Sequence, residues 1–161
     1  MKDVSRVAII GAGVQGAQIA FRCAIYGKET AVFDIMPDML LSAEKRIKTW
    51  LSEYVHTGKL DEAESKSSYR RISFSDSLEK CLEGAALAIE AVPEKLELKR
   101  KVWEEIDRLA AADLMLTTNS SSLKSSSIYT NVSRKSKTFN LNFMTPVKDD
   151  LVEVMWNEST C

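Results

Sequence analysis

Apolar runs of strand length alternate with segments of helical spacing along nearly the whole of this sequence. A strand of a parallel sheet is buried on both faces and reads as a continuous apolar run, while the helices that cover it keep a one-sided apolar stripe. The alternation therefore predicts an α/β fold, a doubly wound and mostly parallel sheet with helices on both faces. Strands are expected at 6–10, 30–33, 72–74, 86–91, 114–117, 139–143 and 151–156, and helices at 14–26, 37–55, 96–111 and 125–129. Gly27 is placed to stop the first helix, and Pro37 to open the second through its fixed φ in a first turn. Thr57-Gly58-Lys59-Leu60 breaks that second helix, and Asp61-Glu62-Ala63-Glu64 restarts a short one whose acids suit a helix N-terminus. The two together form a helical arm inserted after the second strand. Asn119 to Ser127 is serine-rich, but because it follows a strand directly it reads as a loop at the strand's carboxyl end.

Composition narrows the partner. The chain has 161 residues, 45% hydrophobic and 28% charged, enough for one domain with a real core. Its 22 basic residues nearly balance 23 acidic ones, which leaves no electrostatic footprint for nucleic acid or an anionic membrane and points to a small molecule. Met1-Lys2-Asp3 runs straight into an apolar strand without the apolar region of a signal peptide, and no stretch approaches the roughly 18 apolar residues of a membrane span. A cytoplasmic protein is expected. Cys23, Cys81 and Cys161 are far apart and odd in number, without metal-ligand spacing, so neither a disulfide framework nor a metal site is expected. The chain ends at Cys161 just after a strand, the mark of one domain, residues 1–161, taken from a longer protein and lacking its final helix or strand.

The chemistry begins at Gly11-Ala12-Gly13-Val14-Gln15-Gly16, which leaves a strand and opens a helix. In a dinucleotide-binding turn the first glycine permits the tight bend, the second admits backbone to the pyrophosphate, and the third lets helix pack closely on strand. The helix N-terminus then faces the phosphates. On its own the pattern also fits a strand-to-helix turn with no ligand. Asp34 stands at the end of the second strand, 18 residues after Gly16, where a carboxylate accepts both ribose hydroxyls and repels the extra phosphate of NADP. Its other reading is a strand-end cap. Strand, glycines, helix, strand and acid in this order predict a Rossmann domain that binds NAD.

Four further segments, in order, extend the pattern: Ala88-Ile-Glu-Ala-Val-Pro-Glu94, Thr118-Asn119-Ser-Ser-Ser-Leu123, Leu141-Asn-Phe-Met-Thr-Pro146 and Leu151-Val-Glu-Val154. With them the chain resembles the NAD-binding domain of the 3-hydroxyacyl-CoA dehydrogenase family over positions 5 to 156. The resemblance implies hydride transfer from a 3-hydroxyacyl substrate, an acyl-CoA or related 3-hydroxy acid, to NAD, in fatty acid metabolism. It places Glu94 and Lys99 beside the nicotinamide half, Asn119 on the cofactor, and Ser121 against both cofactor and substrate. Without it, Glu94 would be a solvated strand-end acid and Lys99 a helix-face lysine. The family uses a histidine as base and a glutamate to steady it; Glu153 matches the glutamate. Asn142 stands where the family has histidine, and Thr145 where it has asparagine. A carboxamide accepts no proton near neutral pH, which implies a rate deficit on the order of 10² to 10⁴.

On the substrate side, Trp50 lies near where a small polar residue would meet the acyl-CoA. Lys59 is a candidate for a CoA phosphate, or a solvated turn lysine. His56, the only histidine, suits a helix C-terminus better than a substitute base. The family's second, helical domain closes over the cleft and forms a homodimer, so this chain alone is expected to be inactive. Two readings stay open, a dehydrogenase with altered catalytic residues and a non-catalytic NAD-binding module.

Overall fold

The computed structural model describes residues 4–144 and 151–160. Its strands are β1 (Arg6–Ile10), β2 (Glu29–Phe33), β3 (Ile72–Ser75), β4 (Leu87–Glu90), β5 (Met115–Thr118), β6 (Thr138–Phe143) and β7 (Val152–Met155). They form one sheet in the order β3-β2-β1-β4-β5-β6-β7, parallel throughout except for the antiparallel β6–β7 pair. The strand order reverses between β1 and β4. Such a switch point opens a crevice at the carboxyl ends of the strands.

Among the described residues six α-helices cover the faces: α1 (Val14–Ile25), α2 (Pro37–His56), α3 (Glu62–Arg70), α4 (Leu78–Leu82), α5 (Leu96–Leu109) and α6 (Ser125–Ile128). Successive β1 side chains point to opposite faces. Val7 and Ile9 join Ile19, Phe21, Ile47 and Leu51 from α1 and α2 on one side. Ala8 and Ile10 join Leu78, Trp103, Ile106 and Ile128 from α4, α5 and α6 on the other. Burial on both faces explains why β1 carries no polar residue after Arg6.

The helical arm differs from expectation in one respect. Asp61 lies outside α3 as its N-cap, accepting from the Glu64 N–H while the Glu64 carboxylate accepts from the Asp61 N–H, a reciprocal capping box. With both ends of that first turn satisfied, α3 runs on to Arg70. Gly58, at φ 69°, makes the turn between α2 and α3. Neither the five-residue α4 nor the 3-10 turn at Lys135–Lys137 was expected from spacing, since neither is long enough to show a helical period. Ser77 caps α4 by accepting from the Lys80 N–H.

Arg134 closes the other end of α5. It pairs with Asp107 at 2.6 Å and donates to the carbonyls of Asp107, Ala110 and Ala111, which satisfies acceptors that a helix C-terminus leaves open. Cys23 and Cys81 are free thiols, pushed up by burial to about 11 and about 12. Cys161 lies outside the described residues. No helix among the described residues is long and apolar enough to cross a membrane.

Candidate functional site

The glycine turn separates three physical roles. Gly11 has φ 112°, and a Cβ on it would stand 2.8 Å from the Ala91 carbonyl oxygen. At Gly16 a Cβ would lie 1.9 Å from the Gly11 carbonyl oxygen, so only glycine lets α1 sit this close to the strand end. Gly13 is different. Its φ of −61° is open to any residue, and a Cβ there would meet nothing within 4 Å. The fold gives no reason for glycine at 13. The space it leaves belongs to a cleft of about 560 Å³ lined by Gly11, Gly13, Val14 and Gln15 on one side. The first turn of α1 has no side-chain cap and no acidic residue, so the positive end of its dipole is left facing that cleft.

Asp34 stands at the cleft's lip and is half-buried. Its Oδ2 accepts from the Ala12 N–H at 2.9 Å and its Oδ1 from the Met36 N–H at 3.0 Å. These bonds lock the glycine turn to the end of β2, and each oxygen keeps a further lone pair. Behind Asp34 the cleft wall is apolar, with Ile35, Met36, Met39, Val92, Leu98 and Val102.

Across the switch point lies a buried ionic cluster. Glu90, the last residue of β4, is wholly buried and accepts from Lys99 Nζ at 2.7 Å, the Thr118 hydroxyl at 2.8 Å and the Val92 N–H at 2.8 Å. Burial pushes Glu90 above the usual carboxylate range, which the Lys99 charge and these hydrogen bonds only partly counter. Lys99 is 1% exposed and also reaches Glu94 at 3.2 Å. Glu94 accepts from the hydroxyls of Ser120 and Ser122. Its partial burial pushes it upward, but those two bonds and Lys99 outweigh that and hold it below the ordinary value.

The serine loop and the last strands complete the site. Asn140, buried in β6, donates to the Ser120 and Leu123 carbonyls and accepts from the Ser125 N–H, so one side chain fixes the loop. Asn119 lines the cleft and accepts from the Phe143 N–H at 2.8 Å, while Gln15 donates to the Phe143 carbonyl at 3.3 Å. Phe143 is thus tied from both sides to cleft residues. Next to it, Asn142 pairs directly across the β6–β7 ladder with Glu153, and Asn142 Nδ2 donates to Glu153 Oε2 at 3.0 Å.

The structure lines one cleft with Gly11, Gly13, Val14, Gln15, Asp34, Glu94, Lys99 and Asn119; Ala12 and Gly16 belong to the same turn, and Asn142 and Glu153 pair with each other on β6 and β7 next to Phe143, whose backbone Asn119 and Gln15 bond. Lys99 is a buried ion-pair partner and not a solvated helix-face lysine. Ser121 is exposed, and among the described residues the hydroxyls that bond Glu94 are its neighbours Ser120 and Ser122. Lys59 stays apart at the arm's turn, exposed, with its ammonium 4.9 Å from the Tyr54 ring centre. Trp50, half-buried, meets Phe21 edge-on at 5.9 Å and packs against the core beneath the arm. His56 is the exposed last residue of α2, suited to the helix dipole. Thr145 lies outside the described residues. Among the described residues no group of acidic, histidine or cysteine side chains could hold a metal ion.

Residues 6–161 match the family model described as "3-hydroxyacyl-CoA dehydrogenase, NAD binding domain". The chain belongs to the 3-hydroxyacyl-CoA dehydrogenase family. A probable 3-hydroxybutyryl-CoA dehydrogenase of Bacillus subtilis is 32% identical over 154 residues, which cover 95% of this chain and 53% of that protein. The lambda-crystallin homolog of Bos taurus is 37% identical over 128 residues, 76% of this chain and 39% of that one. The crystal structure of 3-hydroxybutyryl-CoA dehydrogenase from Escherichia coli superposes with a TM-score of 0.95 at 29% identity, covering 99% of this chain and 34% of the other. The chain therefore spans about half, or less, of the length of these dehydrogenases and of their crystallin relative.

The cofactor of this dehydrogenase domain is NAD. Its residues fit the dinucleotide on independent grounds, since Gly13 keeps open a space that no protein atom needs and the uncapped α1 N-terminus faces it. Three participants escaped the sequence reading: Glu90, Ser120 and Asn140. Glu90 had a signal, because a carboxylate inside a doubly covered apolar strand needs a buried cation. Asn140 and Ser120 had none, being one amide and one hydroxyl among many.

Proposed function

We propose that this chain is the cofactor-binding part of an NAD-dependent dehydrogenase that takes a hydride from a 3-hydroxyacyl thioester or a related 3-hydroxy acid. One observation carries the reading: the glycine turn, Asp34, Glu94, Lys99 and Asn119 line a single cleft, with Glu90 buried against Lys99 behind it. The α1 N-terminus and Gly13 hold the pyrophosphate, and the free lone pairs of Asp34 take the ribose hydroxyls. Glu94, Lys99 and Asn119 border the nicotinamide end, and Ser121, whose hydroxyl is exposed, reaches both cofactor and substrate. Bound NAD supplies the hydride acceptor. Lys59 is retained as a candidate contact for a CoA phosphate at the arm's tip. A helical domain following this chain would close the cleft and form the homodimer, and we assign the whole protein to the cytoplasm and to fatty acid metabolism, as the family likeness implies.

A second reading has its own observation. Asn142 replaces the base with a group that takes no proton, which favours a non-catalytic NAD-binding module. Calorimetric titration separates the parts of the proposal. NAD is expected to bind at least about 100-fold more tightly than NADP, because Asp34 repels the added phosphate; equal affinities refute the Asp34 assignment. The full-length protein, given NAD and 3-hydroxybutyryl-CoA, is expected to yield NADH slowly, and the 161-residue chain none. NAD binding without any turnover by the full-length protein would leave the module reading in its place.

A further inference from the structure

Asn140 is 4% exposed in the middle of β6, between Phe139 and Leu141 and opposite Thr118 of β5. A buried carboxamide is costly unless its donors and its acceptor are all bonded. Those of Asn140 are bonded, and to a loop rather than to the sheet. Its Nδ2 donates to the Ser120 carbonyl at 3.0 Å and the Leu123 carbonyl at 2.9 Å, and its Oδ1 accepts from the Ser125 N–H at 2.8 Å. Two carbonyls and one N–H facing a single side chain fit a carboxamide in one orientation. A carboxylate would oppose both carbonyls, and an apolar side chain would leave all three groups without this partner.

The loop held in this way holds Glu94 in turn. Ser120 Oγ accepts from the Leu123 N–H at 2.8 Å, closing the turn, and donates to Glu94 Oε1; Ser122 Oγ donates to the same oxygen at 2.6 Å. Lys99 reaches Oε2 at 3.2 Å from the other side. With Oε1 taking two hydroxyls, the lone pair left for a ligand is on Oε2, and Glu94 lines the cleft. We propose that Asn140 is a positioning residue of the cofactor site: from behind the cleft it templates the serine loop, and through Ser120 and Ser122 it aims Glu94 at the nicotinamide half of the cofactor. This rests on the NAD-binding reading above and goes beyond it by naming a residue outside the cleft that sets the affinity for one half of the dinucleotide. The adenosine half depends on Asp34, which the Ala12 and Met36 N–H groups hold instead.

The test compares NAD with ADP, which stops at the pyrophosphate and so reports the other half of the cleft alone, by calorimetry on the full-length protein. Asn140→Ala should lower NAD affinity roughly 10-fold, the worth of one hydrogen bond to a charged group, and leave ADP affinity within about threefold of the parent. In the Glu94→Ala background the carboxylate to be aimed is gone, so Asn140→Ala should lower NAD affinity there by no more than about twofold. A residue that only stabilised the fold would lower NAD and ADP affinities alike, and its effect would add to that of Glu94→Ala. Should Asn140→Ala bind no ADP, Asn140→Thr takes its place, since a β-branched residue suits a strand and its hydroxyl can donate to only one of the two carbonyls. An unchanged NAD-to-ADP ratio, additive losses, or loss of ADP binding in both variants would each overturn the proposal. Binding by the parent separates this from the reading beneath it: a parent that binds neither nucleotide refutes both, whereas a parent that binds both, with the ratio unmoved in the variants, refutes only the positioning role.

Discussion

Gly13 and Gly16 stand three residues apart in one turn, yet the structure gives them opposite reasons to be glycine, and paired substitutions should separate stability from binding. In Gly16→Ala the new Cβ would lie 1.9 Å from the Gly11 carbonyl oxygen. That atom is main chain, so relief requires α1 to move off β1 by about 1 Å, and overpacking of this kind costs about 1–3 kcal/mol or more. Alanine's helix propensity returns about 1 kcal/mol. Because the overlap exceeds an ångström, the upper end of the penalty applies, and a net loss of about 2 kcal/mol lowers Tm by roughly 4–8 °C in a domain this size. In Gly13→Val the side chain enters open space, and the only structural cost is a poorer N-cap, at most about 1 kcal/mol or roughly 2–4 °C. Its methyls occupy the volume above the α1 N-terminus, so NAD affinity should fall more than about 100-fold, since backbone can no longer approach the pyrophosphate. Thermal unfolding by circular dichroism and calorimetric NAD titration measure both. Gly13→Val binding NAD like the parent, or losing more stability than Gly16→Ala, would refute the division of roles.

Other consequences follow from the charged groups. Lys99→Met leaves Glu90 buried without its cation and should cost about 3–5 kcal/mol, whereas adding Glu90→Gln should restore most of the loss; equal Tm values for single and double variants would contradict the pairing. Burial pushes Asp107 upward, but the bonds from Arg134 and Ser133 prevail and hold it below its ordinary value. A folded value below the unfolded one means stability that is present above about pH 4 and lost as pH falls further, so Asp107→Asn should flatten the acid limb of a Tm–pH curve. Asn142→His should place an imidazole against Glu153 and titrate above about 6.5, a stabilisation present at low pH and lost as pH rises through that value. The same change should raise turnover of the full-length protein by about 10² to 10⁴, and an unshifted second histidine resonance would show that the pair does not form.

The strands were legible because both faces of the sheet are covered. After Arg6 the first strand is apolar without a break, and the expected bounds 6–10 match the observed strand. Elements with few residues or no repeat left no such mark: α4 shows only the Ser77 cap and three buried apolar residues, and the capping box at Asp61 resembled the helix it precedes because its acids suit a first turn equally well. The mostly parallel, doubly wound sheet was implied by the alternation of elements, but the strand order and the β6–β7 register were not, since alternate strand residues are free to slide by two without changing face. That register decides the site, because it sets Asn142 opposite Glu153.

The glycines and Asp34 stand out by residue type, whereas residue type alone would leave Lys99 on a solvated helix face. A lysine in the first turn of an amphipathic helix reads as solvated, yet here Glu90, nine residues earlier at the end of an apolar strand, draws it inside. The same reasoning bears on Glu153. Its bond to Asn142 joins directly opposed residues of β6 and β7, the kind of cross-strand contact that contributes to sheet stability by itself. A glutamate at 153 therefore has a structural reason to be present whether or not it assists proton transfer, and its match to the family's residue is not evidence of turnover. Glu153→Ala would remove bond and carboxylate together and confuse the two roles. Glu153→Gln keeps an oxygen to accept from Asn142 and removes only the group able to take a proton. A loss of turnover in Glu153→Gln at unchanged Tm would assign Glu153 to the chemistry, and a fall in Tm with turnover intact would assign it to the sheet.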